Sequence, residues 1–173
     1  MIIIINFVLF QLAWFFCVLG AAKAMPWLSV AATAIILLWH FKMAKQAKPE
    51  ALLLLISLAI GATFDQAMLS YGLIDYAHHG WSDNIVPVWI LALWLGFAST
   101  LNVSLRWMRN RYLIAIAFGA IGGPLAYFSA TKLGALKLQG TISYIALSIG
   151  WATITPLLIA ISTKFDGFKG SSQ

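Results

Sequence analysis

The sequence predicts an all-α membrane protein, a bundle of six transmembrane helices with both termini in the cytoplasm. Three observations carry that reading. Hydrophobic residues make up 62% of the 173 positions and charged residues 9%, which is far from the composition of a soluble domain. Apolar runs recur at close to the roughly 20-residue length needed to cross the hydrocarbon of a bilayer. Lys and Arg fall mostly in alternate loops, as the positive-inside rule requires.

The first run, residues 2–22, reads as a helix and not as an export signal. No Lys or Arg precedes it, and it is longer than a signal core, although Ala22 and Ala24 mimic a small-residue cleavage site. The second, residues 26–41, is short and is flanked by Trp27 and by Trp39 with His40, which read as interfacial anchors. The remaining spans are placed at 51–73, 86–105, 112–133 and 142–163. Lys42, Lys45 and Lys48, then Arg106, Arg109 and Arg111, then Lys164 and Lys169 fall on one side, against Lys23, Lys132 and Lys137 on the other. That bias puts both termini of a multi-pass membrane protein in the cytoplasm.

One domain, residues 1–163, takes nearly the whole chain, and residues 164–173 form a short polar tail, Gly-rich and expected to fray. No internal repeat lines up between the two halves. A formal net charge of +6 does not point to nucleic acid, because the cations are dispersed over short loops and not gathered on one face. Cys17 has no second thiol to pair with. The outer loop offers Asp75, His78, His79 and Asp83, but no regular ligand spacing, so no metal and no cofactor is expected. No Ser-His-Asp arrangement, His-x-x-x-His helix or Gly-rich phosphate loop occurs.

The chemistry that remains is intramembrane. Asp65, with Gln66 beside it, interrupts the third apolar run. At 1.5 Å rise per residue it lies about 21 Å from the inner end of that span. An ionised Asp near the bilayer centre costs on the order of 2.5–3.5 kcal/mol on insertion scales. It must be protonated, paired or wetted by a cavity. The same arithmetic brings Gln11, Trp14, Trp94, Pro124, Tyr127, Trp151 and Thr153 into the middle third. Three of these are tryptophans that an interfacial belt does not account for, and indole and phenol donors need partners when buried. No Lys or Arg shares the layer.

A second polar cluster, Ser99, Thr100, Asn102 and Ser104, precedes Arg106. Asn102 and Arg106 stand four apart on one helix face, able to hold a phosphate or carboxylate head group. The ordinary alternative is a topology-setting Arg after helix-end polar residues. In residues 117–128, Gly119 and Gly123 give a small-xxx-small spacing that lets helices approach closely, and Pro124 frees a carbonyl one turn earlier. The expectation is either packing within the bundle or a partner helix docking on Gly119 and Gly123.

NFVLFQLAWFFCVLGAA at the start, FDQAMLSYGL in the third span, VPVWILALWLGFASTLNVSLRW in the fourth and GGPLAYFSATKLGAL in the fifth together resemble a family of small bacterial inner-membrane proteins, domain of unknown function 2878. The resemblance covers nearly the whole chain. It implies a role in membrane-lipid maintenance and carries no established activity. Whether the protein is an enzyme stays open. The leading expectation is a lipid-linked protein in which an acyl chain or other apolar ligand enters between helices. Trp14 and Trp94 would line its path, Asp65 and Gln66 with Tyr127 would hold a polar atom, and Asn102 with Arg106 would take the head group. Membrane lipids are then the expected partners. The alternatives are a small proton-coupled transporter and a non-catalytic scaffold.

Overall fold

The computed structural model describes residues 1–169 and is built from six α-helices. They are α1 (Ile2–Ala22), α2 (Pro26–Met43), α3 (Ala47–Ser70), α4 (Val88–Ala98), α5 (Tyr112–Lys132) and α6 (Thr141–Lys164). Five of them are long and apolar enough to cross a membrane; α4 is not. Helix α3 begins four residues before the predicted span, because Pro49 and Glu50 suit a first turn. Pro needs no intrahelical donor there, and an acid meets the positive end of the helix dipole.

The fourth predicted span, 86–105, is corrected. Helix α4 has 11 residues, about 16 Å of rise, and the chain then continues as turns to a short 3-10 segment at Arg106–Met108. The cause is local. The Ser99 and Thr100 hydroxyls turn back onto the Gly96 and Phe97 carbonyls at 2.7 and 2.6 Å, a side-chain alternative that competes with the helical ladder. Asn6 of α1 then takes over part of the lost pairing: its Nδ2 donates to the Ser99 carbonyl at 3.1 Å, and its Oδ1 accepts from Ser104 N and Oγ at 3.3 and 2.8 Å. Residues 98–105 are all buried, so irregular backbone is enclosed by protein, the condition under which apolar surroundings tolerate it.

Helix α4 is the centre of the bundle, packed by α1, α2 and α3. Helices α5 and α6 form a hairpin that meets the rest mainly through α6 against α3. The two connections at the far end join as an antiparallel ribbon, β1 (Ile74–Tyr76) with β2 (Leu136–Leu138), in the register Asp75 opposite Lys137. The sequence reading has only an outer loop here. The structure instead buries Tyr76 and His79 and ties His79 Nδ1 to the Ile85 carbonyl at 2.7 Å.

Gly119 and Gly123 are spent inside the chain. A Cβ on either would overlap Trp151 of α6, so the face expected to receive a partner helix already holds α6. The carbonyl that Pro124 frees, Ala120 O, accepts the Ser148 hydroxyl of α6 at 3.0 Å, which repairs the missing helical bond.

The starts of α1, α3 and α5 and the end of α6 lie together at one end of the bundle. There Asn6 meets Ser104, Glu50 meets Asn102 and Gly167, and Arg109 meets Ser162. The tail does not fray across residues 165–168: Gly167 O accepts Lys45 N at 2.8 Å and Gln46 N at 3.0 Å. Residues 170–173 lie outside the described part.

Candidate functional site

Asp65 stands five residues before the end of α3, about 8 Å along the helix, and is fully buried at 0% exposure. Its carboxylate is held by three neutral donors. Tyr76 and Tyr127 each donate a hydroxyl to Oδ1 at 2.6 Å, and the Trp94 indole donates to Oδ2 at 2.5 Å. One side chain of α3 thereby joins the β ribbon, α4 and α5. Hydrogen bonds to every side of a carboxylate are what make a buried acid tolerable without a cation.

The indole that reaches Asp65 belongs to a larger aromatic unit. Trp94 stacks on Trp151 with centroids 4.8 Å apart and planes at 9°. Phe97 meets both rings edge-on at 6.0 and 5.2 Å. Space for the stack comes from glycines: a Cβ at Gly61 would overlap the Trp94 ring, and one at Gly123 the Trp151 ring. Such close approaches explain why small residues sit at those points of α3 and α5.

Helices α1 and α5 make little or no direct contact, and between them runs an open cleft of about 360 Å³. Phe7, Phe10 and Trp14 line it from α1, Gly122 and Ala126 from α5, and Trp151 closes it behind. It continues into a narrower recess of about 70 Å³ walled by Trp14, Val18, Trp94, Tyr127 and Trp151 and ending at Leu136. Asp65 is not among the lining residues of either. It lies behind the wall, holding Trp94 and Tyr127 in place.

Of the residues expected around Asp65, Trp94 and Tyr127 touch it and Trp14 lines the cleft. Gln66 does not join them. Its Oε1 accepts Val86 N at 2.8 Å, and its Nε2 donates to Ser70 Oγ at 3.1 Å and Asn84 O at 3.0 Å, pinning the outer loop to α3. Adjacent helical residues diverge by about 100° of rotation, so a neighbour in sequence faces another way. Tyr76 was hidden from the sequence reading because it reaches the layer from a strand in a connection.

The second polar cluster is deeper than its sequence suggests. Asn102 and Arg106 do not form the expected pair, because no continuous helix carries them. Asn102 Nδ2 donates to Glu50 Oε1 at 2.5 Å and to the Phe165 carbonyl at 2.7 Å, and its Oδ1 accepts Arg109 at 2.5 Å. Arg106 bonds Asp166, which Arg109 also reaches at 2.7 Å. Glu50 completes the network by accepting Gly167 N at 2.7 Å and pairing with His40 at 2.9 Å. His40, read as an interfacial anchor, is buried at 0% exposure. Burial raises the Asp166 pKa, but the hydrogen bonds and charges of Arg109 and Arg106 outweigh it and hold the carboxyl below its ordinary value.

Together these features define an all-helical bundle with an apolar exterior, a central broken helix and a lateral aromatic cleft, compatible with an integral membrane protein. The sequence profile of the family described as protein of unknown function DUF2878 matches residues 3–157. The chain belongs to that family. No curated protein and no solved structure shows a significant match.

Proposed function

We propose that the chain is a six-span protein of a bacterial inner membrane, with both termini cytoplasmic, that serves membrane-lipid maintenance by taking an acyl chain into the cleft between α1 and α5. Helix α4 with its buried continuation makes the sixth crossing. The observation that carries the reading is the cleft itself. It opens sideways, between two helices whose outward faces are apolar, where a membrane-resident ligand enters without leaving the hydrocarbon. Its aromatic walls and few polar groups suit an apolar ligand.

Asp65 acts in this reading as a positioning residue. Its lone pairs are engaged by Tyr76, Tyr127 and Trp94, so it shapes the wall that meets the ligand. Proton-coupled transport through Asp65 finds less support, since the carboxylate is fully buried and lines neither the cleft nor its recess.

The test is a comparison of whole-membrane lipid profiles from a deletion strain complemented with wild type or with Gly122→Phe, at equal protein levels. Gly122 lines the cleft, and a Cβ there meets only the Phe118 ring edge at 4.0 Å, so the substitution fills the cleft without disturbing α6. The expected result is a profile that changes on deletion and returns with wild type but not with Gly122→Phe. A profile indifferent to deletion overturns the reading.

A further inference from the structure

We infer that the cleft receives one acyl chain of an anionic phospholipid, with the phosphate at the end of the bundle where the starts of α1 and α5 meet. The inference rests on the cleft reading above and adds the head-group chemistry, the direction of entry and the number of chains.

Charge supplies the first argument. The chain has five acids. At that end Glu50 and Asp166 are buried and bonded within the bundle, so the described residues offer no exposed acid there. The cations do the opposite: Lys42, Lys45, Lys48, Arg111 and Lys164 are exposed. A surface carrying only positive charge attracts anionic lipid, by about 1 kcal/mol per Lys or Arg at the membrane surface.

Placement supplies the second. Two arginines lie close in the chain to that end of the cleft. Ser104 and Leu105 line its end, and Arg106 follows directly, its side chain 39% exposed although one guanidinium nitrogen is on Asp166. Arg111 caps the start of α5, seven residues before Phe118 on the cleft's lip, about 10 Å along the helix. A phosphate held there sits just outside the apolar lining.

Length and shape supply the third. Along α1 the lining runs from Phe7 to Val18, about 16 Å of helix. One leaflet of hydrocarbon is about 15 Å, half of the roughly 30 Å core. A chain entering from the Arg106 and Arg111 end would therefore reach Leu136 and stop against the β ribbon. The cleft is open along its side, with Phe15, Phe118 and Leu125 on its exposed lips, so the second chain of a phospholipid can remain in the bilayer.

The experiment uses the full chain in nanodiscs containing a phosphatidylglycerol or a phosphatidylethanolamine with a photoactivatable group on one acyl chain, and maps the crosslinks by mass spectrometry. The expected result is labelling of α1 and α5 at the cleft by phosphatidylglycerol, abolished in Gly122→Phe. In Arg111→Gln it should be weaker by about fivefold, the loss of roughly 1 kcal/mol, while phosphatidylethanolamine labels less. Equal labelling by the two lipids, or labelling indifferent to Arg111→Gln, overturns the anionic head group while leaving the cleft reading intact. Displacement of the phospholipid label by an equimolar free fatty acid overturns the two-chain ligand. Absence of label from α1 and α5 overturns both readings.

Discussion

Two carboxylates near opposite ends of the same helix are held in opposite ways. Asp65 is surrounded by two phenols and an indole, with no cation in contact. Glu50 sits among His40, Asn102 and a backbone amide, in a network that runs on to two arginines and Asp166. Neutral donors add no charge that must itself be desolvated, so they suit the apolar interior. Formal charges are used where the chain ends meet, and bulk solvent is near. The difference teaches which cluster shapes the ligand wall and which fastens the chain. The Asp65 layer orders the aromatics beside the cleft, and the Glu50 layer ties the broken α4 and the tail to α2 and α3.

That contrast can be broken from its stronger side first. Asp65→Ala leaves two phenols and an indole without their acceptor, and each unpaired buried group costs on the order of 1–3 kcal/mol. A loss of roughly 2–4 kcal/mol in detergent unfolding is expected, because relaxation and alternative partners recover part of the sum. Asp65→Asn should be milder but not silent. Its one amide oxygen keeps part of the acceptor and its NH₂ can donate to a phenol oxygen, while at least one of the three donors loses its acceptor. Equal losses in the two variants would contradict a purely hydrogen-bonding role.

Glu50→Ala should cost less, about 1–3 kcal/mol, and should release the tail, seen as faster limited proteolysis after Lys164. A tail as protected as in wild type would show that Asn102 and the arginines suffice. Gly123→Leu forces Trp151 from its place and should destabilise by about 1–3 kcal/mol, whereas Gly122→Leu, facing the open cleft, should stay within about 0.5 kcal/mol. Comparable losses at both glycines would sink the assignment of one to packing and the other to the cleft.

The smallest effect concerns pH. The Asp166 carboxyl is held below its usual value of 3.8. Its contribution is therefore fully present above that value and drains away as pH falls through it toward the lower folded value. Melts of the detergent-solubilised protein between pH 6 and pH 3 should show a step in wild type that Asp166→Asn flattens; an identical pH profile in the two would remove the arginine clamp from the account.

Much of the Asp65 layer was legible in the sequence, because helical rise alone puts Trp94 and Tyr127 at its height. What rise does not give is rotation, so Gln66 was grouped with a site it turns away from. Nor does it give the reach of a connection, so Tyr76 was missed. The break in α4 was less legible. Residues 86–105 are apolar enough to pass for a full span, and the signals that end the helix are short-range: two adjacent hydroxyl residues and a lone Asn6 in a run of isoleucines, which reads as an oddity until its partner is known. His40 reads as an interface residue because it lies beside Trp39, and Glu50 falls one position outside the predicted third span. Only the tertiary fold brings them together with Asn102 and the tail. A path lined by Trp14 and Trp94 was expected from their depth, but which helices part to form it was not legible, since the cleft is made by α1 and α5 standing apart.

The cleft is also where the account is most directly tested. Native mass spectrometry of the protein extracted gently from its own membrane, wild type against Gly122→Phe, reads whether a chain is held there. The account predicts a lipid-sized mass retained by the wild type through detergent exchange and lost from a Gly122→Phe protein that unfolds at the same temperature. Equal retention by both proteins, or a wild type that carries no lipid, would contradict it.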